Sequence, residues 1–333
     1  MAALAMCASA IEPEDLRAHV EFLASDALGG RATPSTGLHV ASEYIAAQFR
    51  RAGLEAGNEG SYFQEESAGR RNVVGFLRGS DPRLRDTCVL VTAHYDHVGT
   101  DKQGEADDLI RNGANDNASG VASIIEIARD LVKAKPRRSV LFIAYYGEEL
   151  GLIGSRYYAA HPLVPIDSTV AQINFEQTGR TDDLEGANPK ALEMSGWGYS
   201  QVTDVLQAHA AKYGVRLRYR AKWSDQAFTR SDNEALAVSG VPAHTVAASF
   251  SFPDYHQPGD EWHKLDYDNM ALITTAARAG VLAIANAIQP PHWYEGAPYG
   301  QKSHTPMSAP VPRKQKAPAA RKQRARVTTR EKR

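Results

Sequence analysis

Glu148 and Glu149 stand side by side in SVLFIAYYGEELGLIGS (residues 139–155), where a short apolar run gives way to apolar residues at helical spacing. The run 140–144 is β-rich and uncharged, as a strand covered on both faces should be. A pair of carboxylates in such a strand-to-helix turn has three uses. It complements the positive end of a helix dipole and stays solvated, it binds a metal ion, or it moves a proton. Ligands of open α/β sheets gather at the carboxyl ends of the strands, which is where this pair falls. The other strand candidates decide between these uses. DTCVLVTA runs into His94, Tyr95 and Asp96, and STVAQINF ends in Glu176. NGANDNASG places Asp116 in a Gly- and Asn-rich turn directly before a helix, and His256 comes just after VPAHTVAASFSFPD. A lone histidine at a strand end is more often structural, but acids and histidines recurring at so many strand ends and turns point to a metal centre.

Imidazole together with carboxylate suits zinc and related divalent ions, and the absence of cysteine ligands argues against a closed structural zinc site. The carboxylates suffice to neutralise two divalent ions. Two ions need a short acid between them, and Asp116, restricted by its turn, is the candidate bridge.

The elements that must position these groups follow from periodicity. Helical patterns cover 12–30, where Leu16, Val20 and Leu23 are in phase, then 36–54, 117–134, 151–161 and 200–215. Strand patterns cover 71–79, 86–96, 139–147, 168–179 and 241–249. Strands alternating with helices predict an α/β fold with a mostly parallel, twisted central sheet and helices on both faces. The expected organisation is an N-terminal segment 1–11, a single catalytic domain 12–295 and a basic tail 296–333.

Composition sets limits. With 333 residues, 43% hydrophobic and 23% charged, the chain has room for a sizeable core and reads as an ordinary soluble globular protein. The long apolar segment 269–288 is broken by Thr274, Thr275, Arg278 and Asn286, so it predicts a packing helix and no membrane span. The net charge of −1 conceals an excess of +9 in residues 313–333 and of −10 before them. That tail lacks aromatic residues and reads as disordered, with a charge suited to anionic surfaces. The body carries no basic patch that would serve specific nucleic-acid recognition. Cys7 and Cys88 match no metal or redox spacing, and a disulfide between them has no support. The opening MAALAMCASA ends in a cleavage-like Ala-Ser-Ala but lacks a basic start and adequate apolar length. A shortened export signal and a plain terminus both stay open, with a secreted or periplasmic location slightly favoured.

TAHYDHVG, NGANDNASGVA, YGEELGLIGS, INFEQTGR and YHQPGDEW together resemble, in order and spacing, the co-catalytic zinc aminopeptidases of peptidase family M28. The resemblance extends over residues 12–290 and implies a zinc-exopeptidase-like fold. It implies two Zn2+, replaceable by other divalent metals, and a peptide substrate with a free N-terminus. It makes His94 and Glu176 ligands of one ion, Glu149 and His256 ligands of the other, Asp116 the bridge, Glu148 the general base and Asp96 the acid that orients His94. A protease-associated insertion, found in many relatives, has no room between 71–79 and His94.

The chain also departs from the family pattern. Glu176 stands where aspartate is commoner, Asn233 where histidine is frequent, and Phe228 near a position that some members fill with an oxyanion-stabilising tyrosine. Tyr255 is then the candidate oxyanion donor, and Glu176 or Asp232 the candidate partner of a substrate amine. His97, His161, His244 and His263 are expected not to be ligands, and Trp197, Trp223 and Trp262 are expected to pack, with the lining of a substrate pocket as their alternative use. The competing functions are an M28-type carboxypeptidase, a glutaminyl cyclase, which typically manages with one zinc, and a non-catalytic interaction module.

Overall fold

The structure, a computed structural model, describes residues 11–101 and 108–300. The expectations for the N-terminal segment, for Cys7 and for the basic tail therefore lie almost entirely outside the described residues.

The chain opens with α1 (Pro13–Leu23) and a 3-10 turn (Asp26–Arg31). The helical pattern predicted through residue 30 breaks after Leu23, and the following 3-10 turn is itself interrupted where Gly29 and Gly30 take positive φ of 54° and 68°. Gly30 is also pressed against its surroundings, since a Cβ there would lie 2.4 Å from the Arg111 carbonyl oxygen. In α2 (Thr36–Ala52) the Ser35 hydroxyl caps the start by accepting the Leu38 N–H, and Gly53, at φ 95°, closes the end.

The remaining elements, in order, are β1 (Glu55–Ala56), β2 (Phe63–Ser67), β3 (Arg70–Leu77), β4 (Cys88–His94), β5 (Gly99–Thr100), β6 (Ile110–Arg111), α3 (Ser119–Ala134), β7 (Ser139–Tyr145), α4 (Ile153–Ala160), β8 (Thr169–Glu176), β9 (Ala191–Met194), α5 (Gln201–Ala210), β10 (Arg216–Arg218), α6 (Ala221–Phe228), α7 (Asn233–Val238), β11 (Ala243–Ala247) and α8 (Tyr267–Asn286).

Nine strands form one sheet in the order β1-β3-β7-β4-β8-β11-β9-β10, with β2 beside β3. The centre, β7-β4-β8-β11, is parallel throughout, whereas β3 joins β7 and β9 joins β11 antiparallel. The alternation of side chains along a strand divides the core. Val89, Val91 and Ala93 of β4 and Val140, Phe142 and Ala144 of β7 join the core shared with α1, α2, α3, α5 and α8. Cys88 and Leu90, with Leu141, Ile143 and Tyr145, face the opposite side, where Tyr158 of α4 and Leu236 of α7 cover them. Helices thus lie on both faces, as the α/β reading predicts. No described helix is long and apolar enough to cross a membrane.

Candidate metal centre

The sheet order brings the chemistry together. β7, β4 and β8 are parallel neighbours, in register with His94 opposite Tyr145 and Thr92 opposite Asn174, so their carboxyl ends share one edge. His94 ends β4 and Glu176 ends β8, both buried, while Glu148 and Glu149 follow β7 in the turn. His256 comes from the loop after β11, and Asp116 from a tight turn leading into α3. The Asp116–Asn117 peptide is cis.

Asp116 directs one oxygen to each of two groups. Its Oδ1 lies 3.3 Å from His94 Nε2, and its Oδ2 lies 3.1 Å from His256 Nε2. On the first side Glu176 Oε1 is 4.0 Å from His94 Nε2. On the second, Glu149 Oε1 is 3.1 Å from His256 Nε2. His97, set aside from sequence, also belongs to this group: its Nδ1 is 2.9 Å from Glu149 Oε1. His97, Asp116, Glu149 and His256 each offer a ligand atom within 4.8 Å of one another.

The charges are strongly perturbed. Burial would lower the His256 pKa, but Asp116 and Glu149 prevail and push it up to about 10. His94 is raised in the same way against its own burial, by Asp116 and Asp96. Asp116, despite burial, is held well below the usual carboxylate range by the two imidazoles. Burial raises Glu148 well above that range and Glu176 to about 7, with His94 opposing in both.

A divalent metal fits this donor set. Imidazole and carboxylate converge without a thiolate. The His256 Nε2 atom is buried and, though close to two carboxylate oxygens, makes no well-formed hydrogen bond to either, so it stands unpartnered between two anionic groups, where a cation would satisfy all three. Comparison with known proteins then decides the family, because the profile of Peptidase family M28 matches residues 72–281.

The chain belongs to peptidase family M28.

It is 36% identical over 151 residues to a probable zinc metalloprotease of Leptosphaeria maculans, a match covering 42% of this chain and 34% of that one. It is 37% identical over 105 residues to the aminopeptidase YwaD of Bacillus subtilis, covering 32% and 20% of the two chains. The matches span less than half the length of the first curated relatives. The fold is similar to that of the LapA aminopeptidase of Legionella pneumophila, with a TM-score of 0.68 at 21% identity over 84% of this chain and 73% of that one.

In this M28 chain a second layer of residues fixes the first. Asn115 Oδ1 accepts the N–H groups of Gly179 and Arg180, and Asn117 spans the Gly120 and Gln177 N–H groups and the Phe175 carbonyl. The asparagines flanking Asp116 thereby bolt its turn to the end of β8. From the other side the fully buried Asp260 carboxylate accepts the N–H groups of Asn115 and Asp116 at 2.9 and 3.0 Å. Gly113 must be glycine, since a Cβ there would lie 2.5 Å from the His97 ring. Arg31 is buried and donates to the carbonyls of Leu23, Tyr95, Asn112 and Gly113, tying the His94–His97 loop to the Asp116 turn. Ser231 donates to the Glu176 carboxylate. His94 Nδ1 lies 3.2 Å from the Asp96 carbonyl and 3.6 Å from its carboxylate, which accepts the Glu148 N–H at 3.1 Å. Sequence reasoning missed Arg31 and Asp260, whose partners exist only in the folded chain.

A cavity of about 270 Å³ opens on His94, Asp116, Glu148 and Glu176, with Tyr255 on its wall. Leu184, Trp223, Phe250 and Phe252 supply apolar surface, so Trp223 takes the pocket-lining use that sequence ranks second to packing. Asp232 does not reach a substrate amine in this structure, since it is fully buried and lies outside the cavity. Phe228 is buried against Tyr199, His244, Trp293 and Tyr299, and Asn233 bridges the Phe228 carbonyl and the Thr245 hydroxyl, so both serve packing.

Proposed function

We propose that this M28 chain is a two-zinc aminopeptidase that hydrolyses the N-terminal peptide bond of peptides. One observation carries the reading. Asp116 divides its two oxygens between two histidine–carboxylate groups, while another buried-edge carboxylate, Glu148, stands beside them on the cavity wall. Zinc held by His94, Glu176, Asp116, Glu149 and His256 supplies a water of lowered pKa and polarisation of the scissile carbonyl.

Glu148 is the general base. Its carboxyl, raised by burial, retains a proton taken from the water long enough to return it to the departing amine. The Asp96 carboxylate fixes the Glu148 backbone and stands behind His94, supporting the imidazole's orientation. Tyr255, stacked on the His256 ring at 3.9 Å, faces the cavity and is the donor for the oxyanion. Glu176 is the acid placed to meet the free amine. The printed names of YwaD and LapA as aminopeptidases support this choice of substrate.

Arg230 favours a second reading. It is exposed, lines the same cavity and has no ion pair among the described residues, which suits a substrate carboxylate, as in a carboxypeptidase. N-blocked peptides with free C-termini separate the two readings, because only the carboxypeptidase cleaves them. For Glu148 the test is Glu148→Gln, which is expected to keep its zinc and lose on the order of 10²-fold or more in kcat. Near-normal turnover with full zinc content would remove Glu148 from the role.

A further inference from the structure

The two metal positions are not equivalent. Around the second, His256 Nε2 stands 3.1 Å from both Asp116 Oδ2 and Glu149 Oε1, and His97 Nδ1 stands 2.9 Å from the same Glu149 oxygen and 3.9 Å from Asp116 Oδ2. Tetrahedral zinc with nitrogen and oxygen ligands at about 2.0–2.2 Å keeps its ligand atoms roughly 3.3–3.6 Å apart. The four atoms bracket that spacing before any adjustment. Around the first position, His94 Nε2 has only the carboxylates of Asp116 and Glu176 within 4.0 Å among the described residues.

Access divides the positions the same way. His94, Asp116, Glu148 and Glu176 line the cavity, and His97, Glu149 and His256 do not. His97 is only 1% exposed, enclosed beneath the turn that Gly113 allows to approach it. A zinc ion whose four positions are all filled by protein ligands has no place for water or substrate, whereas catalytic sites keep a position open.

We propose that His97 is a fourth protein ligand of the ion held by Asp116, Glu149 and His256, which closes that position and leaves the His94–Asp116–Glu176 position as the one that exchanges its ligand with the cavity. The inference rests on the two-metal reading above. It makes the four-ligand ion an anchor for Asp116 and assigns the exchangeable position to the ion beside Glu148. The alternative is that His97 Nδ1–H only donates to Glu149 and supports it from outside the coordination shell.

X-ray absorption at the zinc edge of the full, zinc-loaded chain counts imidazoles and separates these cases. The wild-type chain is expected to show three imidazoles shared over two ions. His94→Gln is expected to retain one ion carrying two imidazoles. Adding His97→Gln should leave that ion with one imidazole and at least about 10-fold weaker binding in competition with a chelator. Two imidazoles over the wild-type pair, or one in His94→Gln, would overturn the assignment. The wild-type spectrum needs no variant, so it decides even where a variant fails to fold. A wild-type chain that takes up no zinc would overturn the two-metal reading, and this inference with it.

Discussion

Ser231 donates to Glu176, and Asn174 in turn donates to Ser231 at 2.8 Å, so the carboxylate that departs from the family's usual aspartate has a built support. Partners of this kind set the orientation of a metal ligand and typically govern its affinity by 10- to 100-fold. Ser231→Ala is therefore expected to weaken one of two zinc ions by about 10-fold or more in chelator competition. Its urea midpoint should fall only modestly, by about 1–2 kcal/mol of stability, since Asn174 and Thr245 lose Ser231 but keep partners in Thr245 and Asn233. Unchanged zinc affinity would mean that Glu176 positions itself. At this scale the convergence of His94, Asp116, Glu149, Glu176 and His256 was legible because they sit at strand ends and turns. Their supports were not. Asp260 lies in YHQPGDEW with no role that the residues alone assign, and His97, one residue beyond Asp96, is set aside as a ligand in sequence. Only the folded loop shows that His97 turns towards Glu149.

Arg31 and His244 act between elements. The Arg31 guanidinium meets backbone carbonyls from the end of α1, from the loop after β4 and from the segment before α3, and burial lowers its pKa to about 10. Arg31→Met leaves buried carbonyls without a donor and is expected to cost on the order of 3 kcal/mol or more. Urea unfolding measures this, and a loss under about 1 kcal/mol would show that those carbonyls find other donors.

His244, inside β11, donates from Nδ1 to the Ser195 carbonyl and accepts at Nε2 from the Ser200 hydroxyl, which caps α5. It is therefore a neutral imidazole, and burial lowers its pKa to about 4 from the usual 6.5. Below pH 6.5 the unfolded chain binds a proton that the folded chain refuses. This contribution to stability is thus intact above about pH 6.5 and lost as pH falls towards 4, by up to roughly 3 kcal/mol. His244→Gln should flatten that part of the pH–stability curve, and a curve parallel to wild type would contradict it. The sequence marked His244 as a strand residue and not a ligand, but its link to the α5 cap was invisible without the β11–β9 pairing.

For the whole molecule, the parallel centre was legible because β4, β7, β8 and β11 are short β-rich segments alternating with helical patterns, and each proves buried on both faces. The edges were not. β1, β9 and β10 span only two to four residues, and β2, FQEES, is mostly polar and exposed, so each depends on its neighbour for its conformation. The antiparallel attachment of β3 was equally hidden, because periodicity reports burial and not strand direction. Across the fold, one sheet edge gathers acids and imidazoles from separate strands and turns beneath a single cavity, and in the proposed function this edge holds two zinc ions and works on free N-termini.

The most direct test is zinc content measured on the same preparation that is assayed against aminoacyl reporter amides, their N-acetylated forms and N-blocked peptides with free C-termini. The account predicts about two zincs per chain, loss of activity on chelation with recovery on adding zinc, and cleavage of free-amine substrates alone. A chain that binds no zinc, or that cleaves N-blocked substrates as readily as free-amine ones, would contradict it.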